Sequence, residues 1–279
     1  MALSRTTPRR NDPVKTQETN MPLTEQQTER YRRNIMLEPI GTAGQEKLLA
    51  SKVLVIGAGG LGSPAALYLA AAGVGTVGLA DGDRVDLTNL QRQILHSTAD
   101  IGRRKVVSAQ ETIEAINPDV TVQTHNARAT ADNIKDILKG YDFIIDAVDN
   151  FAAKFLINDA CHFAHLPFTH AGISAFEGQL MTVLPARTTC YRCVFSNPPS
   201  PDSVPPPSQS GVLGAVPGVI GALQATEAIK HLLGIGDLLT DALLIYDALA
   251  MTFRKVPLTR NPNCPLCSRH PEITELKDE

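Results

Sequence analysis

Four of the five cysteines form two Cys-x-x-Cys pairs, Cys190 with Cys193 and Cys264 with Cys267. Four thiolates from two such pairs are the usual ligands of a structural zinc ion, which they enclose as a tetrahedron. Redox-active dithiols are the alternative, but neither pair stands where a strand ends and a helix begins, as in thioredoxin-like motifs. The pattern therefore favours a structural zinc site that fastens two distant parts of the chain together.

A glycine-rich turn follows the apolar run at 53–57. It has the pattern G-x-G-x-x-G and contains four glycines, Gly57, Gly59, Gly60 and Gly62. Such glycines let the backbone approach a phosphate group closely, and the N-terminus of the following helix attracts the anion. Ser63 is placed to cap that helix and Pro64 to stand at its first position. The turn predicts nucleotide binding.

Asp81 ends the next apolar run, where folds of this kind place the carboxylate that accepts a hydrogen bond from a ribose hydroxyl. The turn and this acid agree on a nucleotide but leave NAD and ATP open. Arg92 and Lys105 follow at the same edge, and displacement at a phosphate requires such cations, whereas hydride transfer has little need of them. Arg103 and Arg104 are interpreted as a solvated helix start.

Two further acids, Asp146 and Asp149, stand at the end of a later apolar run. Ligands of open α/β sheets bind at the carboxyl ends of the strands, and a carboxylate there can hold Mg²⁺ against nucleotide phosphates. Asp146 could instead be a buried acid that accepts backbone hydrogen bonds. We expect Asp149 to face the magnesium ion because it lies further toward the strand end.

The elements that must position these residues alternate along the chain. Strands are predicted at 53–57, 77–81, 120–125 and 143–148, and helices at 63–72, 105–117, 131–139 and 152–164. This alternation predicts a Rossmann-like, doubly wound and mainly parallel sheet. The runs 168–174 and 178–184 predict a hairpin, hence an antiparallel extension, which the helix 216–233 and the strands 243–246 and 253–256 follow. Two short helices are expected within 24–49.

The domain organisation follows from composition. Residues 1–22 are almost free of apolar side chains and are expected to be a disordered tail, whereas 23–279 is expected to be a single domain. Within that domain, 195–215 is a proline-rich loop that crosses the surface, and 186–194 and 260–270 are the two zinc knuckles.

Charge and hydropathy exclude two classes of protein. The net charge of −3 and the lack of a long basic run argue against sequence-independent nucleic-acid binding. No apolar run is long enough to cross a membrane and the N-terminus lacks the pattern of a signal peptide, so a cytoplasmic protein is expected. Cys161 stands in an apolar helical run and is expected to be a core residue rather than a nucleophile.

In combination, these motifs resemble the ThiF/MoeB/HesA family, the bacterial relatives of ubiquitin-activating enzymes, and most closely its MoeB-type adenylyltransferases. The resemblance runs from about residue 30 to residue 267. The matching segments are 30–35 (RYRRNI), 57–62 (GAGGLG), Asp81 with 89–93 (NLQRQ), Gly102 with Lys105, 116–118 (INP), 146–150 (DAVDN), 178–179 (GQ), 190–193 (CYRC) and 261–267 (NPNCPLC).

The resemblance implies an ATP site with roles for individual residues. Asp81 would hold the ribose, Asn89, Arg92 and Lys105 would contact the phosphates, and Asp149 would serve Mg²⁺. Arg33 would reach the site of the partner subunit in a homodimer, so that a monomer would be inactive.

The resemblance also implies the reaction. The C-terminal Gly-Gly carboxylate of a small ubiquitin-like sulfur-carrier protein attacks the α-phosphate of ATP and yields an acyl-adenylate and pyrophosphate. The product would serve sulfur incorporation into a cofactor of the molybdopterin or thiamine type, or into tRNA. Some relatives carry a thioester- or persulfide-forming cysteine after the first zinc knuckle, but 195–212 contains none. A separate sulfur donor is therefore expected.

Three alternatives stay open on the sequence. The carboxylate could belong to a modified nucleoside in RNA or to a peptide. The glycine turn and Asp81 alone would suit an NAD-dependent oxidoreductase, but that reading leaves Arg33, Arg92 and Lys105 unexplained. A catalytically silent subunit that only presents a carrier has no need for all of these residues together with Asp149.

Overall fold

One eight-stranded sheet, with the strand order β3-β2-β1-β4-β5-β6-β7-β8, forms the centre of the molecule. The structure is a computed structural model that describes residues 22–198 and 211–278. The strands are β1 (Lys52–Ile56), β2 (Thr76–Ala80), β3 (Thr121–His125), β4 (Phe143–Asp146), β5 (Phe168–Ser174), β6 (Glu177–Val183), β7 (Ala242–Asp247) and β8 (Thr252–Pro257).

The first five strands are parallel, which confirms the doubly wound sheet that the alternating pattern predicts. β1 pairs with β2 on one side and with β4 on the other, so the strand order reverses between β1 and β4. The carboxyl ends of these two strands therefore border the crevice in which open α/β sheets bind their ligands. The last three strands are antiparallel and begin with the predicted hairpin of β5 and β6.

Helices cover both faces of the sheet. They are α1 (Glu25–Arg30), α2 (Arg32–Ile35), α3 (Gly41–Ala50), α4 (Gly62–Ala71), α5 (Lys105–Ile116), α6 (Ile134–Leu138), α7 (Phe151–Ala164), α8 (Tyr191–Val194) and α9 (Ala215–Leu233). Side chains alternate along β1, so Val53 and Val55 enter the core beneath α4, α5 and α9, whereas Leu54 and Ile56 enter the core beneath α6 and α7. The cysteines of the two knuckles border this second core.

The N-terminal segment contains three helices, so the prediction of two was wrong. Thr24 starts α1 with a capping box, and the backbone then breaks at Tyr31, whose ring is buried. The Tyr31 hydroxyl accepts a hydrogen bond from the Asn117 side chain at 2.8 Å, which anchors the break and separates α1 from α2. Periodicity alone does not reveal such a tertiary anchor.

Two predicted helix starts also differ. Leu61, not Ser63, is the N-cap of α4, and Ser63 lies inside the helix with its hydroxyl buried and without a hydrogen-bond partner among the described residues. The helix predicted at 131–139 is limited to α6, because Asn133 accepts a hydrogen bond from the backbone N–H of Thr130 and holds a turn there.

The expected disordered tail (1–22), apart from residue 22, and most of the expected proline-rich loop (195–215) lie outside the described residues. Within 22–198 and 211–278, no helix is both long and apolar enough to span a membrane.

Candidate nucleotide site and zinc site

The glycine turn between β1 and α4 is packed tightly at its two ends and open in its middle. Gly57 has φ = +100°, and a Cβ there would lie 2.7 Å from the Ala147 carbonyl oxygen. A Cβ on Gly62 would lie 1.8 Å from the Gly57 carbonyl oxygen. At Gly59 a Cβ would meet only Nε2 of Gln93, at 3.7 Å, among the described residues. Packing requires glycine at the ends, and the middle offers backbone to a ligand.

Ala58, inside this turn, is held on both sides of its backbone. Its N–H donates to Asp81 Oδ2 at 2.9 Å, and its carbonyl oxygen lies 3.0 Å from Nε2 of His96. A carbonyl only accepts, so Nε2 of His96 carries the proton, and Nδ1 accepts from the Ser108 hydroxyl at 2.9 Å. Burial lowers the pKa of His96, which keeps the ring neutral at physiological pH.

Lys105, the first residue of α5, is buried beside Asp81. Its Nζ lies 4.0 Å from Asp81 Oδ2 and 3.4 Å from Asp83 Oδ2. Asp83 also accepts a hydrogen bond from Arg128 at 2.8 Å, and this bond is the main reason that the pKa of Asp83 lies below its ordinary value. The carboxyl edge of β1 and β2 thus collects a buried ammonium group, an exposed guanidinium group and two carboxylates.

Asn89 and Arg92 lie in the segment between β2 and α5. The Asn89 side-chain oxygen accepts from the backbone N–H of Asp86 at 3.2 Å, and Nη1 of Arg92 donates to the Thr88 carbonyl at 3.0 Å. Arg92 also reaches the glycine turn, because a Cβ on Gly60 would lie 3.4 Å from its Cγ. The structure therefore brings Arg92, Lys105 and Asp81 together around the turn.

Asp146 and Asp149 differ completely in their surroundings. Asp146 is fully buried, and its Oδ2 lies 2.8 Å from Nδ1 of His170 and 3.5 Å from Nζ of Lys154. Although burial raises the pKa of Asp146, Lys154 and His170 outweigh that effect and keep the pKa below its ordinary value. Asp149 is exposed and makes no hydrogen bond or salt bridge with any described residue. Asp146 is therefore a buried acid that accepts a backbone hydrogen bond, from Val148, which was the alternative interpretation of this residue. Asp149 has the exposed carboxylate.

Arg33 lies far from the glycine turn of its own chain. It stands on α2, where the neighbouring Asn34 donates to the Ala72 carbonyl at 3.3 Å, next to the C-terminal end of α4. The turn lies at the other end of α4, and a helix of 10 residues is about 15 Å long. Arg33 is exposed and has no hydrogen bond or salt bridge within the described part of the chain.

The four paired cysteines meet in space. Cys190 Sγ lies 3.7 Å from that of Cys193, 3.6 Å from that of Cys264 and 3.5 Å from that of Cys267. A tetrahedron with metal–sulfur bonds of about 2.3 Å has edges of about 3.8 Å, so these separations fit one zinc ion. None of the four is in a disulfide bond. Among the described residues this is the only group of three or more candidate metal ligands.

Two arginines fasten the knuckles to the rest of the molecule. Arg260 donates to the carbonyls of Ala186 and Cys267, at 3.0 and 2.9 Å, and so joins the two knuckles. Arg192 is buried and forms a salt bridge with Asp159 of α7, with Nη2 to Oδ2 at 2.7 Å. The site is therefore built into the core and closed, as a structural metal site requires.

Cys161 is buried in α7, as predicted, and burial raises the pKa of its thiol well above the ordinary value. A thiol of this kind is a poor nucleophile because the reactive species is the thiolate.

Two residues of the site escaped the sequence reasoning, His96 and Gln93. Both are buried beneath the glycine turn, although they lie between strands in a segment without apolar periodicity. The segment 89–93 (NLQRQ), which carries part of the family resemblance, includes Gln93, whereas no sequence signal marked His96.

The chain is similar to known proteins in sequence and in fold. Residues 31–266 match the model of the ThiF family. The chain is 46% identical to the SAMP-activating enzyme E1 of Haloferax volcanii, over 86% of this chain and 89% of that protein. It is 44% identical to the sulfur carrier protein adenylyltransferase of Thermus thermophilus, over 91% of this chain and 96% of that protein.

A crystal structure of E. coli MccB is similar in fold, with a TM-score of 0.77 and 23% identity, over 86% of this chain and 73% of that chain. The family match covers the glycine turn, the acids and cations at its edge, and three of the four clustered cysteines. This chain belongs to the ThiF family.

Proposed function

We propose that residues 23–279 form one adenylating domain that activates the C-terminal Gly-Gly carboxylate of a small ubiquitin-like sulfur-carrier protein with ATP. The observation that carries this proposal is the buried ammonium group of Lys105 at the open glycine turn. A cation there stabilises charge that develops on phosphate oxygens, which adenylyl transfer requires and hydride transfer does not. The similarity to a sulfur carrier protein adenylyltransferase over nearly the whole chain supports the same substrate class.

In the proposed site, the ribose hydroxyls of ATP bind Asp81, and the phosphates lie against the glycine turn. Asn89, Arg92 and Lys105 contact the phosphates. Lys105 is balanced by Asp81 and Asp83, so its side chain has a defined position before ATP binds. Arg92 is likewise oriented by the Thr88 carbonyl. Such prior ordering lowers the cost of organising the site during the reaction.

The proposed reaction is one displacement at the α-phosphorus. A carboxylate oxygen of the carrier forms a bond to phosphorus, and the bond from phosphorus to the bridging oxygen of the β-phosphate breaks. The products are the acyl-adenylate and pyrophosphate. Lys105, Arg92 and a guanidinium from the partner subunit stabilise the negative charge that develops on the phosphate oxygens, and no nucleophile of this chain takes part.

Arg33 is proposed to supply that third cation in a homodimer. Within one chain it is separated from the glycine turn by the length of α4, and its side chain is exposed. Both facts favour a role in the site of a second copy.

Two metal ions are proposed. Asp149 has both carboxylate oxygens available and would hold Mg²⁺, which takes one or two carboxylates together with phosphate oxygens and water. When bound, this ion would neutralise part of the phosphate charge. The four clustered cysteines would hold a structural zinc ion, which would fasten 260–270 to 186–194.

The sulfur destination is proposed to be a cofactor of the molybdopterin or thiamine type, or tRNA, with a separate sulfur donor. A different carboxylate, on a peptide or a modified nucleoside, is the second candidate. The similarity to MccB, at 23% identity, establishes the fold alone and does not distinguish between substrates. The 46% identity to a SAMP-activating enzyme favours a carrier protein.

ATP–pyrophosphate exchange tests the proposal. Exchange that requires Mg²⁺ and one Gly-Gly carrier, and that falls by roughly a hundredfold or more in Asp149→Ala, is the expected result. The control Asp142→Ala alters an acid at the opposite end of β4, whose carboxylate binds the Lys52 N–H, and should exchange normally. No exchange with any Gly-Gly carrier, despite ATP binding, would contradict the proposal.

A further inference from the structure

The side-chain oxygen of Gln93 is buried beside the glycine turn and has no hydrogen-bond partner in the part of the chain that the structure describes. Only 5% of the residue is exposed. Its backbone is satisfied, since the N–H donates to the Asn89 carbonyl and the carbonyl accepts from His96. A buried oxygen without a hydrogen bond is unfavourable and uncommon in native proteins, so a ligand is a candidate for the missing partner.

Successive residues of the glycine turn contact different parts of the molecule. Ala58 is bound by Asp81, Gly59 faces Nε2 of Gln93, and Gly60 faces the ring of Pro217 at the start of α9. Gln93 therefore lies between the proposed ribose position at Asp81 and the segment that leads into α9.

The chemistry of a carboxamide restricts its ligand. Oε1 only accepts a hydrogen bond and Nε2 only donates. A phosphate oxygen of ATP could accept from Nε2, but an ionised phosphate has no proton to give to Oε1. An extended peptide residue offers both on one side, because its own N–H donates and its own C=O accepts. The penultimate glycine of the substrate proposed above is such a residue.

We propose that Gln93 binds the penultimate glycine of the substrate tail, with Oε1 accepting from its N–H and Nε2 donating to its C=O, and thereby positions the terminal carboxylate. This inference rests on the proposed function. It assigns Gln93 to the binding of the substrate tail and not to the binding of the nucleotide.

The surface next to Gln93 offers the tail a route. Gly214 packs on the same segment, because a Cβ there would lie 2.2 Å from the Gln91 carbonyl oxygen. Just before it, Leu213 donates its N–H to Ala175, and 211–213 lines a cavity of about 390 Å³ with Ala175 and Phe176. The β5–β6 turn that carries these residues is at the same edge of the sheet as the glycine turn, since β5 is parallel to β4.

The test combines a protein variant with a modified substrate. The carrier that supports exchange is prepared with its penultimate glycine replaced by N-methylglycine, which removes the N–H that Oε1 is proposed to bind. For the wild type, this change should raise the carrier KM roughly tenfold, as the loss of a buried hydrogen bond does. Gln93→Met should raise the KM for the unmodified carrier to a similar degree, respond little to methylation, and keep the Kd of ATP within about twofold.

A matched control is Gln110→Met on α5. The Gln110 side chain donates a hydrogen bond to Glu114 at the surface, so this variant should have the wild-type KM for the carrier. If the wild type has the same KM for the methylated and the unmodified carrier, the inference is overturned, even if Gln93→Met fails to fold. A Gln93→Met variant that loses ATP affinity and keeps the carrier KM would assign the carboxamide to the nucleotide instead. Absence of exchange in the wild type with every carrier would refute the proposed function itself, and the inference with it.

Discussion

A single methyl group at Gly57 or Gly62 is expected to disrupt the glycine turn. The added Cβ would lie 2.7 Å from the Ala147 carbonyl oxygen in the first case and 1.8 Å from the Gly57 carbonyl oxygen in the second. Both contacts are with backbone, which cannot move aside cheaply. Gly59 differs because its Cβ position is nearly open, so glycine there serves ligand approach rather than packing.

At the zinc site, Cys264→Ser should abolish metal binding. The protein is expected to fall from one zinc per chain to none and to melt on the order of 10 °C lower, because metal binding contributes to folding free energy. Metal analysis of the purified protein and thermal melting provide the measurements. Cys161→Ser is the matched control, since it removes a buried thiol outside the cluster and should keep one zinc per chain. Unchanged zinc content in Cys264→Ser would refute the assignment.

Most acids, cations and cysteines of the two candidate sites were predictable from the sequence. They stand at the ends of predicted strands or in recognisable short motifs. Asp81 lies beside Lys105, as expected. At the separate metal site, the four paired cysteines meet, also as expected. His96 was not predicted and Gln93 entered only as a member of the segment 89–93, because burial beneath the turn is not encoded in a local pattern.

At the scale of elements, the position of Lys105 depends on the short turn that precedes α5. Asp100 closes this turn, accepting from the backbone N–H of Ser97 at 2.9 Å, from its hydroxyl at 2.7 Å and from Arg103 at 2.7 Å. Although burial raises the pKa of Asp100, these hydrogen bonds lower it to about 2.

Asp100→Asn should therefore destabilise the protein in a pH-dependent way. The folded-state pKa lies below the ordinary value of 3.8, so the carboxylate contributes stability above about pH 4 and loses it as the pH falls toward about 2. The variant should melt roughly 5 °C below the wild type at pH 7, with the gap closing between pH 4 and pH 2. Thermal melting across that range measures the gap, and a gap independent of pH would contradict the role given to Asp100.

The strands and long helices were predictable because buried parallel strands are short apolar runs between turn residues. The errors fall where tertiary contacts decide. The helix break at Tyr31 depends on Asn117, which lies 86 residues away in the chain. The start of α4 depends on tight packing within the glycine turn, which leaves Ser63 inside the helix.

At the scale of the whole molecule, the site is proposed to be shared between two subunits. Arg33 and the glycine turn lie at opposite ends of α4, so on this proposal a monomer would lack one of the cations around its nucleotide. This arrangement would make activity depend on association.

Mixing two inactive variants tests this sharing. Arg33→Ala and Asp149→Ala should each be inactive alone. In a heterodimer, one site combines an intact Asp149 with the partner's intact Arg33, and the other site lacks both residues. Random re-association of equal amounts should therefore restore about a quarter of the wild-type exchange rate. A mixture that remains as inactive as its components would place Arg33 outside the shared site.

On the proposed function, a carrier carboxylate receives the adenylyl group of ATP. Intact-mass spectrometry of the carrier, incubated with ATP, Mg²⁺ and this protein in the presence of pyrophosphatase, measures that step directly. We expect the carrier to gain the mass of one adenylyl group, and both Asp149→Ala and a carrier with an amidated C-terminus to give none. An unmodified carrier, or an adenylyl group found on this protein, would contradict the proposed function.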